Sequence, residues 1–385
     1  MIDVYYQTER LCSFIKEQLE IFTPQKVVWL GYSPGLPCVY EMLLSCGVQE
    51  IRVFDNDSHK HGWEIKAAGC EDKESITVEA FQNIEDGSSK IIYFSANTHY
   101  KDFTRQLSAF GVEEERIIDL NSILEKWMWE AEAKKVSGYH LLAGRELQLE
   151  QLKILKRFKA FCDGHNLRWF LGEGTLLGAV RHKGCIPWDD DIDVFMPFND
   201  YLECIQSFED DSCYLLDWRS EPTYPFQFAK IVEKNTYQIH SMPFGYFTLG
   251  CYIDIFPIAG FPSNEDEVLK KYQRHRVLDA EWDSTLILRD YYSDVRPDCR
   301  QKITDEKYRI PFDEAERVGT MQQIAGNPWA VSRDVFSESI DMQFEDEVFP
   351  IPIGFDEFLT ARYGDYMTPP PKNKRRIHSY PTYRM

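Results

Sequence analysis

LGEGTLLGAVRHKGCIPWDDDIDV, residues 171–194, holds a small-residue turn, a basic trio and four aspartates, and its reading decides the fold of the larger part of the chain. Ile186, Ile192, Val194 and Phe195 surround the acids, so a short strand is expected, its side chains alternating between two faces. In that register Asp189, Asp191 and Asp193 point the same way and Asp190 faces elsewhere. Like charges so close repel and partly reprotonate unless a cation or buried partners stabilise them, and a hard divalent ion is the natural guest. The alternative is a solvated turn or a helix cap. The flanking apolar residues argue against a merely wet loop. A helix-loop-helix calcium site fits poorly, because counting from Asp189 its mid-loop glycine would be Val194 and its closing glutamate Asp200.

Upstream, Gly172, Gly174 and Thr175 lie between a strand expected over 168–171 and a helix expected from near Leu176. Glycines there let backbone amides approach a phosphate, and a helix start favours an anion; such a turn is also ordinary strand-to-helix punctuation. Arg181, His182 and Lys183 can neutralise phosphate oxygens while metal-bound carboxylates hold the other side, the division of labour of phosphoryl transfer. A solvated basic turn is the alternative. Trp188, after Pro187, fills the core, stacks a base or shields a metal from water.

The run GEGTLLGAVRHKGCIPWDDDIDV resembles the signature of the LicD family, a branch of the nucleotidyltransferase-fold superfamily that includes fukutin-like proteins. That superfamily carries Gly followed by Gly, Ser or Thr, then Asp-x-Asp or Asp-x-Glu on the next strand, then a further carboxylate on a later strand. Gly174 with Thr175, and Asp191 with Asp193, fit the first two. Asp254, the lone acid in Tyr252-Ile253-Asp254-Ile255-Phe256, is the candidate for the third, since burying it is costly unless it is paired or holds metal. A structural salt bridge to a nearby Lys or Arg is its alternative.

Two further segments resemble the family. Phe228-Ala229-Lys230-Ile231 followed by Asn235-Thr236 offers Lys230 as a phosphate contact, or else as a surface lysine. Phe355-Asp356-Glu357-Phe358-Leu359 leads into Arg362-Tyr363-Gly364-Asp365-Tyr366-Met367, Pro369 to Pro371, Lys372, Lys374, Arg375, Arg376 and His378. This proline-stiffened basic tail either folds back over a nucleotide diphosphate or stays solvated. One departure stands out: after Met196-Pro197 many relatives carry arginine, and this chain has Phe198.

The resemblance covers roughly 140–385. It opens with a helix expected over 146–162, whose Leu147, Ile154, Leu155, Phe158 and Phe161 recur at helical spacing, with Gln151 the one polar break. From 264 to 347 the chain turns charged and aromatic, with Tyr272, Trp282, Tyr291, Tyr292 and Trp329, and reads as a helical subdomain shaping the acceptor site or as a structural insertion.

The first 125 residues are a different unit. Strands expected over 26–31, 51–54, 90–94 and 117–120 alternate with helices, one over 37–46, in a Rossmann-type βαβ pattern. The phosphate turn is degenerate: Gly31 and Gly35 remain without a Gly-x-Gly-x-x-Gly, and Pro34 removes an amide donor. Asp55 sits near where a ribose-binding acid is expected, and Asp55-Asn56-Asp57 with Lys60 and Gly62 resembles small nucleotide-sugar-binding domains of surface-polysaccharide enzymes. Dinucleotide catalysis does not fit; a binding, docking or structural module does. The expected organisation is therefore α/β: a Rossmann-like domain over 1–125, a linker over 126–140 within a helical stretch 121–139 where Trp127 and Trp129 glue the halves, and an α+β nucleotidyltransferase-fold domain with helical insertions over 141–385.

With 43% hydrophobic residues in 385, the chain can bury two cores. The stretch MIDVYYQTERLCSF has neither a basic start nor a long apolar run, so no secretory signal or membrane span is expected there. Ten cysteines without Cys-x-x-Cys pairs point to reduced thiols in the cytoplasm and away from zinc, with Cys185 a small apolar filler. A net charge of −20 repels nucleic acid and anionic lipid at long range, so phosphate binding must be local.

The resemblance implies a phosphotransferase dependent on Mg²⁺ or Mn²⁺. It would move a phospho-alcohol, such as phosphocholine or a polyol phosphate, from a CDP-linked donor to a hydroxyl of a cell-surface glycan or lipid-linked glycan precursor, releasing CMP. Asp189, Asp191, Asp193 and Asp254 would hold the metal, one of Asp254 or Asp189 would orient or deprotonate the acceptor hydroxyl, and Arg181, Lys183 and Lys230 would assist at the phosphates. Gly174, Thr175, His182, Trp188 and His378 complete the expected substrate contacts. Work on lipopolysaccharide or teichoic acid precursors would bring the protein to the inner face of the membrane. The rival readings are a true nucleotidyltransferase that uses an NTP and releases pyrophosphate, and a non-catalytic scaffold of glycan assembly.

Overall fold

The computed structural model describes the chain apart from residues 1, 33–35, 49, 66–74, 85–90, 96–99, 243–244, 288–296, 321–329 and 376–379. It is a mixed α/β protein built on three main sheets and a hairpin.

The first sheet runs Glu64–Ile65, Ile76–Ala80, Glu50–Asp55, Lys26–Leu30, Ile91–Ser95, Ile117–Asp119. Its pairs are parallel except at the Glu64–Ile65 edge. Parallel strands need long crossovers, and Leu36–Ser45 and Tyr100–Ala109 supply helical ones. The central strand is consequently apolar on both faces, with Val27, Val28, Trp29 and Leu30 all buried. The expected alternation of strands and helices is present. Asp55 closes its strand buried, and its carboxylate accepts the Tyr32 and Asp57 amides at 2.7 and 2.8 Å and the Lys60 ammonium at 3.0 Å. The group expected at a ribose is thus engaged in its own turn; Pro34, Gly35 and Lys90 lie outside the described residues.

The expected linker helix is Leu120–Glu132, capped by Asp119, which accepts the Asn121 and Ser122 amides. Its two tryptophans face opposite ways. Trp127 joins the first core beside Phe14, with ring centroids 6.1 Å apart, whereas Trp129 packs on the cluster of Met128, Ile239 and Tyr246. Fully buried Glu132 accepts the Tyr237 and Tyr246 hydroxyls at 2.7 and 2.8 Å and pairs with Lys135 at 2.8 Å, so its charge is compensated where it crosses to the next sheet.

That second sheet is antiparallel, in the order Asp3–Tyr6, Gly245–Leu249, Thr236–Met242, Thr382–Arg384, His140–Leu142. Its edge strand comes from the start of the chain and an inner one from residues 382–384, a closure no local pattern announces.

The third sheet carries the site. Its order is Cys213–Leu216, Ala229–Glu233, Tyr252–Phe261, Asp193–Pro197, Phe170–Leu171, with Arg317–Thr320 added beside the far half of Tyr252–Phe261. The ten residues of Tyr252–Phe261 are all buried, and helix Arg145–His165 packs nearby through Ile154, Leu155 and Phe158. The region 264–347 is helical in its first part, with helices Glu265–Ile287 and Pro297–Lys307, and then turns to strand Arg317–Thr320 and the hairpin Ser339–Phe344 with Glu347–Pro352. The four-residue strand extends a sheet built elsewhere, so its own apolar pattern is too short to mark it. Tyr291, Tyr292 and Trp329 lie outside the described residues. Among the described residues no helix is long and apolar enough to cross a membrane.

Candidate functional site

Three neighbouring strands bring charged residues into one row. Asp193 pairs with Asp254 across the parallel junction, and Lys230 pairs with Asp254 across the antiparallel one. Directly paired residues project from the same face of a sheet, so the three side chains share a face. Asp193 and Asp254 are 8% exposed and Lys230 is 1% exposed. Lys230 is therefore an interior residue and not a surface lysine. Its ammonium donates to Asp254 Oδ1 at 2.5 Å and lies 3.5, 4.8 and 5.1 Å from the ring centres of Tyr252, Phe226 and Phe228. Burial pulls the Lys230 pKa down, opposed by the Asp254 charge.

The strand bearing Asp193 is shorter than expected. It starts at Asp193, and Asp189, Asp190 and Asp191 lie half-buried on the loop before it, so the alternating register over all the aspartates is corrected. The reason lies in where the loop carbonyls go. Gln148 Nε2 donates to the carbonyls of Ile186 and Asp189, both at 2.9 Å, and Gln151 Nε2 to that of Asp190 at 2.9 Å. Two buried amides one helical turn apart replace the neighbouring strand that would otherwise satisfy this backbone. Gln151, expected only as a break in an apolar stripe, holds the loop; Gln148 was missed, though a second glutamine three positions earlier was the available signal.

Helix Glu173–His182 begins at Glu173 and not near Leu176, so Gly174 and Thr175 occupy its first turn. The Gly172 amide donates to the Asp193 carbonyl and the Asp193 amide to Thr175 Oγ1, each at 2.9 Å, which stitches the turn to the carboxylate strand. A Cβ on Gly174 would stand 2.4 Å from Asp189 Oδ2, so any larger residue there would turn the Asp189 carboxylate away from its present position. Glu173, absent from the expected site, is buried with φ +36° and accepts from Arg362 Nε at 2.9 Å and the Tyr363 hydroxyl at 3.0 Å.

The basic trio is divided. Arg181, half-buried, donates to the Tyr366 carbonyl at 2.6 Å and to His182 Nδ1 at 3.3 Å; His182 meets Trp188 edge-on at 5.8 Å. Burial lowers both the Arg181 and His182 pKa, keeping the imidazole neutral near pH 7. Lys183 instead caps the helix with φ +60° and sends its ammonium to Met342 Sδ of the hairpin at 3.6 Å. It does not join Arg181 and His182, because the left-handed cap redirects the chain after the helix. The hairpin turn also carries Glu345, which accepts the Cys185 amide at 2.8 Å and pairs with Arg145, bracing the loop from below.

The closing element does return to the signature. Besides Tyr366 on Arg181, the Arg375 guanidinium stacks 3.7 Å from the Trp188 ring centre. Tyr380 stands by the carboxylates: burial raises its pKa, then the charges of Asp190, Asp254 and Asp191. Strand Thr382–Arg384 ties the chain after this tail into the second sheet, while Pro369, Pro371 and Lys372 are exposed and Arg376 lies outside the described residues. His378 lies outside the described residues. Phe198, at the departing position, stacks on Tyr308 with centroids 4.1 Å apart and planes 6° from parallel.

The electrostatics are lopsided. Burial holds the Asp193 carboxyl well above the ordinary carboxylate range, and Asp191, Asp254, Glu173 and Asp189 push the same way. Hard carboxylate oxygens with excess negative charge are the chemistry a divalent cation takes. Among the described residues no three His, Cys, Asp or Glu side chains are already gathered as a metal shell, and Asp254 is held by Lys230. The donor set therefore fits such an ion in kind, with side-chain rotation needed to close around it.

Residues 166–287 match the family described as LicD/FKTN/FKRP, nucleotidyltransferase domain. The chain is similar to the lipopolysaccharide cholinephosphotransferase LicD of Haemophilus influenzae, 29% identical over 255 residues, which cover 61% of this chain and 95% of that protein. It is also similar to uncharacterized proteins of Rickettsia prowazekii, 36% identical over 73 residues, and Rickettsia typhi, 38% identical over 68 residues. Those matches cover 19% and 18% of this chain and only 27% and 21% of the relatives. The stretch similar to that nucleotidyltransferase domain, residues 166–287, contains the glycine turn, the four aspartates of the loop and strand, Lys230 and Asp254.

Proposed function

We propose that the protein is a LicD-type phosphotransferase that moves a phospho-alcohol, phosphocholine or a polyol phosphate, from a CDP-linked donor to a hydroxyl of a cell-surface glycan or its precursor, with CMP leaving. The observation that carries this reading is the buried row in which Asp193 and Asp254 face each other across parallel strands with Asp189 and Asp191 on the loop leading in. Similarity to a named cholinephosphotransferase along nearly its whole length supports the reaction class.

Asp191, Asp193 and Asp254, joined by Asp189, would hold Mg²⁺ or Mn²⁺. Bound there, the ion would offset negative charge developing on the departing phosphate. Arg181 and Arg375 flank Trp188 and His182, where a diphosphate can meet two guanidinium groups while a base lies against an aromatic plate. Gly174 and Thr175 fix the turn that keeps Asp189 beside Asp193. Asp254 or Asp189 orients the acceptor hydroxyl and takes its proton as the oxygen attacks phosphorus and the bond to the CMP oxygen breaks. Lys230, tied to Asp254, holds that carboxylate in position. We read the amino-terminal unit, with its largely parallel sheet and helical crossovers, as a Rossmann-like binding or docking module.

Incubation with CDP-choline, CDP-ribitol or CDP-glycerol, an acceptor glycan and Mg²⁺ tests the reading. CMP release with one donor supports it. Pyrophosphate release from an NTP identifies a nucleotidyltransferase, and no turnover with any donor favours a scaffold.

A further inference from the structure

Glu173 stands between Gly172 and Gly174 with φ +36°, a backbone region that favours glycine, so glutamate is the strained choice at this position. It is 5% exposed. Its Oε2 accepts from Arg362 Nε at 2.9 Å and from the Tyr363 hydroxyl at 3.0 Å, almost 190 residues along the chain. Its Oε1 is buried and has no hydrogen-bond partner among the described residues. A strained residue with such a buried acceptor is a poor structural filler, so its side chain's grip on Arg362 and Tyr363 is what it contributes.

What that side chain holds is the root of the closing element. Arg362 and Tyr363 end helix Phe355–Tyr363, and the next residues supply the Tyr366 carbonyl to Arg181 and the Arg375 guanidinium to Trp188. Downstream the element is fixed again at Thr382–Arg384, where Arg384 pairs with Glu150. Residues 364–375 therefore lead from the Glu173 anchor across the Arg181–Trp188 end of the site. Of the anchors, Glu173 alone belongs to the turn that touches the Asp193 strand, through Gly172 and Thr175.

We propose that Glu173 is a positioning residue for donor binding: by gripping Arg362 and Tyr363 it sets the 364–375 strap against Arg181 and Trp188, coupling the strap to the carboxylate row. This rests on the transfer reading for its kinetic consequence but not for its structural one. The Tyr363 hydroxyl, its pKa raised by burial and by the Glu173 charge, remains a donor throughout the neutral range.

Full-length wild type, Glu173→Gly, Glu173→Gln and Tyr363→Phe are compared by hydrogen–deuterium exchange and donor kinetics. Glu173→Gly removes the strain and the grip together. We expect its melting temperature to stay close to wild type while amides in 364–375 exchange about tenfold faster. The donor KM should rise about fivefold or more with kcat nearly constant. Glu173→Gln, which keeps an acceptor oxygen, should retain most of the protection, and Tyr363→Phe should fall between. Unchanged exchange over 364–375 in Glu173→Gly overturns the proposal, as does acceleration spread evenly over the protein. Should wild type release no CMP from any CDP-alcohol, the transfer reading fails, and the exchange pattern still decides the role of Glu173.

Discussion

Asp193 and Asp254 face each other on neighbouring parallel strands, and the strand on the other side of Asp254 presents Lys230 to it at 2.5 Å. A buried ion pair beside further carboxylates makes the lysine a built-in counter-charge for the row.

Removing that counter-charge has a directed consequence. Breaking a buried pair costs about 3–5 kcal/mol because the other charge is left uncompensated. Lys230→Met should unfold at markedly lower temperature in chelator, and Mg²⁺ should raise its melting temperature more than that of wild type. Equal metal shifts in the two proteins would show that the row does not take the cation.

The loop of aspartates hangs on two amides. Net hydrogen bonds contribute about 1 kcal/mol each, so Gln148→Ala, which loses two, should destabilise by about 2 kcal/mol and Gln151→Ala by about 1 kcal/mol. Chemical denaturation ranks them. A larger loss of transfer activity than of stability in both is also expected, since the loop carries Asp189, Asp190 and Asp191.

Gly174→Ala drives a methyl group into the Asp189 carboxylate, 2.4 Å away. Activity should fall at least tenfold with the circular dichroism spectrum unchanged. Gly164→Ala is the control: nothing lies within 4 Å of its Cβ, and alanine there should stabilise the helix by about 0.5–1 kcal/mol. A fully active Gly174→Ala enzyme would remove Asp189 from the site.

How much of this could be read from the sequence divides along physical lines. The turn, the aspartates and Asp254 were legible because their chemistry conflicts with their apolar surroundings, and a conflict shows in a single chain. Gln148, Glu173 and Glu345 were not, because a polar residue in a helix or a turn is unremarkable until its distant partner is known. The strand limits failed at 186–192 for the same reason: side-chain amides, invisible to a periodicity argument, satisfy that backbone. Likewise the pairing of Asp3–Tyr6 with Gly245–Leu249 joins segments more than two hundred residues apart, which no local pattern encodes.

Away from the site, His275 is buried among Lys307, Lys271 and Arg274, and burial, more than those charges, brings its pKa from 6.5 to about 3. The folded state keeps it neutral, so its stabilising contribution is complete above pH 6.5 and is lost as the pH falls toward 3. At pH 5 the loss is about 2 kcal/mol. Denaturation of wild type and His275→Gln at pH 7.5 and 5 checks this: the variant should show the smaller drop, and equal drops would contradict the assignment.

Transfer from a CDP-alcohol by the Asp191, Asp193 and Asp254 carboxylates can be tested directly. The most direct measurement is CMP release from CDP-choline, CDP-ribitol and CDP-glycerol in the presence of acceptor glycan and Mg²⁺, for wild type and for folded Asp193→Asn. Wild type should release CMP in a metal-dependent manner from one of these donors and Asp193→Asn should stay at background; an Asp193→Asn protein that turns over at the wild-type rate would show that the carboxylates do not carry the reaction.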